Sequence, residues 1–259
     1  ELIEAVDGYT ADSTIFQDFN EIRKTAYAGS GREPRKCTPG VTGCALSHAA
    51  AYKYILSNGY ESALILEDDA SITEDLRKVL ESKDIKEILK SKADIIQLAV
   101  VKPGYIYQIE LTPWGRRKLD TGMIIGKPSK PIPGASCYLI SRNGAQKLLD
   151  SIKPLRFSAD QLLMNCKYFD VNLMALKHPI STQNRTLAST IENSGEHLLQ
   201  AYMDKQQQPW LLSKLKKASK NLRRKYSFLS ILKKFSLYSQ FEKEFLIIQK
   251  YSEKQRAIE

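Results

Sequence analysis

The stretch LILEDDA, residues 64–70, ends an apolar segment with three adjacent carboxylates, Glu67, Asp68 and Asp69. Adjacent like charges repel, so such a cluster needs a bound cation, hydrogen-bond donors or exposure to water. The residues ALIL (63–66) are wholly apolar, and a short run of this kind predicts a strand in a sheet that is covered on both faces. The three acids therefore stand where a buried strand is expected to end.

Three more apolar runs predict strands, and helical patterns lie between them. The expected strands are ADIIQLAV (93–100), CYLI (137–140) and VNLMAL (171–176), and the expected helices cover 43–59, 74–83, 142–152 and 159–166. Residues 102–133 and 178–194 are expected to be loops, with a hairpin around TGMIIG (121–126). This alternation predicts an α/β domain with a largely parallel sheet, and ligands of such sheets bind at the carboxyl ends of strands.

The acidic cluster suits a divalent cation. Side chains alternate along a strand, so Glu67 and Asp69 are expected to share one face while Asp68 points away. Mg²⁺ and Mn²⁺ take one or two protein carboxylates and fill their other positions with phosphate oxygens and water. Acidic clusters are also common on surface turns, so the residues alone leave both interpretations open.

Composition excludes several other classes of protein. The chain has 259 residues, 42% of them apolar and 26% charged, which is an ordinary globular composition. It contains no apolar run of about 20 residues, so no transmembrane helix is expected, and no secretory signal is expected either. The four cysteines form no C-x-x-C pair, which favours reduced core thiols over a zinc site or a disulfide framework.

The net charge of +10 is concentrated near the carboxyl end. Ten Lys or Arg and no Asp or Glu lie between Lys205 and Phe241, and apolar residues recur there at helical spacing. Residues 205–259 are therefore expected to form a basic amphipathic helical appendage. It can lie on anionic lipid, bind nucleic acid, or pack against the body or a second subunit. No zinc-finger or RNA-recognition signature supports nucleic acid, so lipid ranks first.

Five blocks in one order give the chain a family resemblance. They are AVDG (5–8), GCALSH (43–48), LILEDDA (64–70), GASCYLISRNGAQKLL (134–149) and SADQLLMN (158–165). Together they resemble glycosyltransferase family 25, which includes the lipooligosaccharide galactosyltransferases of Gram-negative bacteria and collagen galactosyltransferase domains. The resemblance covers about residues 1–192. It implies a GT-A fold, a single Rossmann-like domain that binds a nucleotide-sugar, here placed at residues 1–204.

The resemblance also implies roles for particular residues. Asp69 is the expected metal ligand, with Glu67 as a second ligand or a contact to the ribose, and Asp68 supports either. Asp160 is the expected general base, which takes the proton of the acceptor hydroxyl. Its position near the start of a helix also suits a simple cap.

Other residues are weaker candidates for the donor site. Ser47 and His48 are expected at the start of a helix, where amides and a hydroxyl can hold phosphate. A histidine packed against the sheet is the plainer interpretation of His48. Gly134, Ala135 and Ser136 are candidates for the sugar pocket or for a plain turn. His178 is a candidate contact to metal or phosphate, and Gln183 and Arg185 are candidate contacts to the diphosphate. Asp120 is the weaker alternative to Asp160 as the general base.

The expected activity is an inverting transfer of galactose from UDP-galactose to a lipooligosaccharide acceptor, with Mn²⁺ or Mg²⁺. The choice of galactose comes from the resemblance, and UDP-glucose is the nearest alternative. A binding protein without catalysis is the alternative of another class. The enzyme is expected in the cytoplasm, attached to the anionic inner leaflet of the inner membrane through its basic segment, with a homo-oligomer as a further option.

Two features depart from the family pattern. In the family, a first strand and an Arg-containing segment precede AVDG and help to hold the nucleotide, and we expect that strand to lie outside this sequence. Relatives tend to carry Glu just before the GC block, where this chain has GVTGC (40–44). A chain that truly lacks this strand is expected to bind the donor poorly, and GVTGC is expected to lack a helper acid.

Overall fold

The computed structural model of the protein describes residues 2–11, 38–100, 108–152 and 157–184. This part contains five α-helices and one 3₁₀ turn at Cys166–Tyr168. The helices are α1 (Pro39–Ser57), α2 (Asp75–Glu81), α3 (Lys83–Ser91), α4 (Arg142–Ile152) and α5 (Ala159–Met164). The basic segment 205–259 lies outside the described residues, so the structure does not test the predicted appendage.

Nine strands in the described residues form two sheets. They are β1 (Ser62–Leu66), β2 (Ala70–Ile72), β3 (Ile95–Gln97), β4 (Ala99–Val100), β5 (Arg117–Lys118), β6 (Ile124–Gly126), β7 (Cys137–Ser141), β8 (Leu173–Leu176) and β9 (Ser181–Gln183). The larger sheet has the order β1-β7-β3-β8-β6-β5, and the smaller has the order β2-β9-β4. The chain is thus a mixed α/β protein, and the hairpin predicted around TGMIIG is the β5–β6 pair.

The prediction of a largely parallel sheet is wrong. Among the described pairings of the larger sheet only β3 with β8 is parallel, while β7 runs antiparallel to both of its neighbours, β1 and β3. A strand that is buried on both faces has the same apolar pattern in either direction. The sequence pattern therefore located β7 but carried no signal for its direction.

The larger sheet is covered by helices on both faces, as the apolar strands predicted. Alternate residues of β7 point to opposite sides. Tyr138 and Ile140 join the core beneath α1, α4 and α5. Cys137 and Leu139 join the core beneath α2 and α3. β1 itself is only half-buried, because in the described part of the chain it lies at the edge of the sheet.

Several predicted boundaries need correction. Helix α1 begins at Pro39 and not at Gly43, because the Thr38 side chain caps it and proline suits the first helical turn. The helix expected over 74–83 ends at Glu81, and Ser82 then caps α3, which the sequence reading missed. Strand β9 lies within the expected loop 178–194, and it pairs with β2 and β4.

Candidate functional site

The three acids lie in a tight turn between β1 and β2. The Glu67 amide donates to the Ser136 carbonyl at 2.9 Å, and the Ala70 amide donates to the Glu67 carbonyl at 3.1 Å. Glu67 and Asp69 are half-buried and Asp68 is exposed. Asp68 is therefore more exposed than the other two acids, and the three lie in a turn and not on the alternating faces of a strand.

Helix α1 supplies the hydrogen-bond donors that the acidic cluster requires. His48 Nε2 lies 3.0 Å from Glu67 Oε1, and Cys44 Sγ lies 3.8 Å from the same oxygen. Cys44 and His48 are four residues apart, so they share one face of the helix. Two side chains of α1 thus converge on one carboxylate oxygen at the end of β1.

His48 is buried and has partners on both ring nitrogens. Its Nδ1 lies 2.8 Å from the Tyr138 hydroxyl, which lies 2.7 Å from the Tyr52 hydroxyl. The expectation that His48 stands at a helix start is wrong, because α1 begins nine residues earlier at Pro39. The structure therefore favours the interpretation of His48 as a histidine packed against the sheet, and a contact with the donor stays a prediction.

Ser47 also has internal partners. Its hydroxyl accepts from the Val6 amide at 2.8 Å and donates to the Gly43 carbonyl at 2.8 Å. A Cβ at Gly43 would lie 2.5 Å from the Val6 carbonyl oxygen, so only glycine allows this approach. The AVDG and GCALSH blocks are therefore packed against each other, and the structure shows Ser47 joining them. Its predicted contact with phosphate has no geometry here that supports it.

Asp69 lies against the end of β9. Its carbonyl accepts from the Asn184 amide at 2.7 Å, and its Oδ2 lies 3.4 Å from Gln183 Nε2. Gln183, which was predicted to contact diphosphate, thus comes to the acidic turn. His178 is exposed between β8 and β9, and Arg185 lies outside the described residues.

Asp160 lies in the first turn of α5, but it is not the cap. Ser158 caps this helix, and the Gln161 side chain completes a capping box. Desolvation by surrounding protein raises the pKa of Asp160 to about 6, and the charge of Glu67 adds to the rise, whereas His48 lowers it. Asp69 also raises it. By solvent-accessible area Asp160 is nevertheless an exposed residue.

Cys44 is the residue of this cluster that the sequence does not predict. The cysteines are predicted to be core thiols, but Cys44 contacts Glu67. Burial and the neighbouring charges of Glu67, Asp160 and Asp69 raise the pKa of its thiol strongly, so the thiol is protonated and can donate. Its spacing of four residues from His48 on a predicted helix was the available signal. Cys137 and Cys166 are buried free thiols, as expected for core residues, and Cys37 lies outside the described residues.

The segment before β7 forms another side of the cluster. Gly134 has a positive φ of 106° and is buried, which explains why glycine is needed there. Its carbonyl accepts from Gln97 Nε2 at 2.9 Å. Ser136 holds the Glu67 amide through its carbonyl, so the GASCY block meets the acidic turn.

Asp120, the second candidate for the general base, has a structural role. It accepts from the Ser82 hydroxyl and from the Lys83 amide at the start of α3. The Ser82 hydrogen bond lowers the pKa of Asp120, which makes it a weaker base. Asp160 is therefore the better-placed of the two candidates.

A mixed α/β domain with helices on both faces of its sheet is compatible with a Rossmann-like glycosyltransferase domain. A sequence model described as glycosyltransferase family 25 (LPS biosynthesis protein) matches residues 1–163, which is more than half of the chain. The chain belongs to this family.

Three curated relatives match this chain at 26–28% identity. A rat protein named "Probable inactive glycosyltransferase 25 family member 3" is 28% identical over 163 residues, covering 58% of this chain and 25% of the relative. Procollagen galactosyltransferase 2 is 27% identical in human and 26% in mouse, again over 58% of this chain and over 22% and 23% of the relatives. The matched segment thus spans about a quarter of each relative.

The sequence predicts no transmembrane helix, and the described residues test this prediction only in part. In the part of the chain that the structure describes, no helix combines the length and the apolar character that a membrane span requires.

Proposed function

We propose that this protein is a metal-dependent hexosyltransferase that transfers galactose from UDP-galactose to a lipooligosaccharide acceptor with inversion. The observation that supports this most directly is that the acidic turn and Asp160, from two separate parts of the chain, lie close enough for their charges to interact. Glu67 and Asp69 come from the turn after β1, and both raise the pKa of Asp160 at the start of α5. A carboxyl group whose pKa is raised by desolvation and by neighbouring carboxylates is typical of a catalytic site.

The acidic turn fits a hard divalent cation. Its donors are carboxylate oxygens, which Mn²⁺ and Mg²⁺ prefer, and two of its three acids are half-buried on one side of the turn. Asp69 and Glu67 would hold the cation. A cation bound there would offset the charge that develops on the diphosphate leaving group.

Asp160 is proposed as the general base. Its raised pKa makes it a stronger base than an ordinary aspartate, and it remains ionised at neutral pH. It would take the proton of the acceptor hydroxyl while that oxygen attacks the anomeric carbon and the bond from that carbon to UDP breaks. Attack from the face opposite the leaving group inverts the configuration.

Galactose is proposed as the donor sugar because two of the relatives are named procollagen galactosyltransferases. UDP-glucose differs by the configuration of one hydroxyl and is the nearest alternative. A lipid-linked acceptor is proposed because the family description names lipopolysaccharide biosynthesis. A basic amphipathic segment would hold the enzyme at the cytoplasmic face of the inner membrane, where such an acceptor is anchored.

A protein that binds a nucleotide-sugar without turnover is the second candidate, because one relative is named as probably inactive. The presence of a carboxyl group suited to a general base argues for turnover. UDP release in the presence of an acceptor separates the two functions, since a binding protein would show affinity alone.

The test is UDP release from a panel of UDP-sugars, with Mn²⁺ or with EDTA, by the wild-type chain and by Asp69→Ala. Release from one sugar that EDTA and the substitution both abolish is the expected result. Glu61→Ala is the matched control, because Glu61 is exposed and lies just before β1, at the end away from the acidic turn. If EDTA and Asp69→Ala leave release unchanged, the metal site is wrong. If a UDP-sugar binds and no UDP is released from it, the protein is better described as a binding protein without turnover.

A further inference from the structure

Four side chains form a continuous line of hydrogen bonds that ends on the acidic turn. The Tyr52 hydroxyl lies 2.7 Å from the Tyr138 hydroxyl, which lies 2.8 Å from His48 Nδ1. His48 Nε2 lies 3.0 Å from Glu67 Oε1. We call these residues the Tyr52–Glu67 chain. Its first three members are buried, with exposed fractions of 1% for Tyr52, 0% for Tyr138 and 5% for His48.

The hydroxyl groups of this chain need an explanation other than packing. Tyr52 and Tyr138 are among the largest fully buried side chains of the core, and phenylalanine would fill nearly the same volume. A buried hydroxyl costs free energy unless it is hydrogen-bonded, so an apolar ring would be the simpler choice at both positions. Both hydroxyls are instead arranged in series toward one carboxylate.

The chemistry of the four groups gives the chain a direction. An ionised Glu67 only accepts, so His48 Nε2 carries the proton of the imidazole. When the ring is neutral, Nδ1 is an acceptor, so Tyr138 donates to it and Tyr52 donates to Tyr138. Burial raises the pKa of both tyrosines, so the hydroxyls stay protonated and able to donate. Aligned donors of this kind polarise one another and strengthen the last bond.

We propose that Tyr138 and Tyr52 are positioning residues that act through His48 to hold Glu67 in one orientation. This inference deepens the proposed function and rests on it for its consequence in catalysis. His48 and Cys44 both contact Oε1, so Oε2 is the oxygen of Glu67 that is available to a cation or a ribose hydroxyl. The buried chain thus selects which oxygen of the acidic turn serves the donor site.

The chain also explains how Glu67 can stand beside Asp68 and Asp69. The three carboxylates repel one another, and the donors from His48 and Cys44 are aimed at Glu67 alone. Cys44 contributes the weaker bond, because its thiol is a poor donor at 3.8 Å. His48 is therefore the main contact, and its orientation depends on the hydroxyl behind it.

The first test is nitrogen NMR of the full-length protein at neutral pH, which needs no activity. The sequence contains three histidines, so His178→Gln and His197→Gln assign the remaining signals to His48. We expect a protonated Nε2 and an unprotonated, hydrogen-bonded Nδ1. In Tyr138→Phe the Nδ1 signal should move toward that of a free ring nitrogen. A protonated Nδ1 in the wild type would reverse the direction of the chain and overturn the proposal.

The second test compares turnover in Tyr138→Phe and Tyr52→Phe. Outer groups that orient a metal ligand typically change activity by 10- to 100-fold. We expect kcat to fall about 10-fold in Tyr138→Phe, and less in Tyr52→Phe, which keeps the Tyr138–His48 bond. Thermal melting shows whether each variant folds, and a purely structural role would lower the melting temperature without changing the kcat of the folded protein.

The outcomes separate this inference from the proposed function. A wild-type protein without turnover refutes the transferase, while the NMR result still decides the direction of the chain. An active wild type with unchanged kcat and unchanged His48 signals in Tyr138→Phe refutes the positioning role. One zinc per purified chain that is lost in Cys44→Ser would also overturn it. The ligand atoms of Cys44, His48 and Glu67 lie within 4.8 Å of one another, and zinc would make them metal ligands.

Discussion

At the scale of single residues, Asp160 combines a chemical advantage with a cost in stability. Its folded-state pKa of about 6 lies above the ordinary value of 3.8. Between these values the folded state binds a proton that the unfolded state has lost, so the stability of the fold falls as the pH rises from about 4 to 6. An aspartate with a raised pKa lowers the stability of the fold at neutral pH. Its presence therefore supports a functional role for Asp160.

Asp160→Asn should therefore lose activity and gain stability. We expect turnover to fall at least about 100-fold through the loss of a general base. After discounting for exposure, the gain in stability at pH 7.5 is about 1 kcal/mol, or about 2–4 °C in melting temperature. The gain should be small near pH 4, where the wild-type side chain is protonated in the folded state and partly protonated in the unfolded state.

Melting curves at pH 4 and 7.5, with UDP release at each pH above 5, measure both effects. In the wild type, kcat/KM should fall below about pH 6 as Asp160 takes up a proton. Asp150→Asn on the exposed face of α4 is the matched control and should leave both properties near wild type. Normal turnover in Asp160→Asn would remove this residue from the mechanism.

At the scale of single elements, helix α1 contributes three side chains that contact the acidic turn or the strand beside it. Its residues 44, 48 and 52 lie on one face at a spacing of four, and they reach Glu67 and Tyr138. One turn from Cys44, Ser47 holds the Val6 amide. One helix thus joins the N-terminal segment to the acidic turn, and the close contact at Gly43 sets the distance between them.

Gly43→Ala should break this contact. The added Cβ would lie 2.5 Å from the Val6 carbonyl oxygen and 2.8 Å from the Gly8 nitrogen, and both are backbone atoms that cannot rotate away. Alanine is the better helix former by about 1 kcal/mol and would by itself raise the melting temperature. The direction in which the melting temperature changes therefore separates the steric clash from the gain in helix propensity. We expect a melting temperature several degrees lower and faster proteolysis of residues 2–11.

Lys53→Ala is the control for this prediction, because it places alanine on the exposed side of the same helix. It should leave the melting temperature near that of the wild type. A Gly43→Ala variant that is more stable than the wild type would mean that the N-terminal segment does not pack against α1 in solution.

At the scale of the whole molecule, the direction of β7 brings the site together. Because β7 is antiparallel to β1, Cys137 at its start pairs with Leu66 at the end of β1. The block Gly134–Ser136 therefore arrives beside Glu67. In a parallel arrangement the residues before β7 would lie at the opposite edge of the sheet, and the end of β7 would be beside the acids instead.

The basic segment is the second feature at this scale. If it binds anionic lipid, replacing Lys216, Lys217 and Lys220 by Gln in the full-length chain should weaken binding to vesicles of anionic lipid about 100-fold. This figure follows from about 1 kcal/mol for each lysine near such a surface. Co-sedimentation with anionic and with neutral vesicles measures the effect, and neutral vesicles should bind neither protein.

The control for the lipid prediction removes the same charge elsewhere. Lys83, Lys86 and Lys90 are exposed on α3, and their replacement by Gln should leave vesicle binding unchanged. Equal losses in the two variants would indicate a general effect of net charge. Tight, salt-dependent binding of RNA or DNA that only the substitutions in the basic segment reduce would favour the nucleic-acid interpretation.

The sequence blocks identified the family correctly, but they did not predict what their individual residues do in the structure. In GASCYLISRNGA, Gly134 has a positive φ, Tyr138 belongs to the Tyr52–Glu67 chain, and the Ser141 side chain accepts from the Gly144 amide at 3.1 Å. A Cβ at Gly144 would lie 2.5 Å from the Asp94 carbonyl oxygen. In the structure these residues make internal contacts, and a short sequence pattern cannot distinguish such a role from contact with a ligand.

The sequence by itself determined the strand that ends in LILEDDA, the mixed α/β class, the family, and the candidate pair of Asp69 and Asp160. These depend on local apolar periodicity and on short blocks, both of which are written along the chain. Only the tertiary structure decided that β7 is antiparallel and that Cys44 and two buried tyrosines lie at the candidate site. Those features are contacts between residues that lie 19 to 90 positions apart, as from His48 to Glu67 and to Tyr138. Such contacts form only when the elements pack, so no local pattern specifies them.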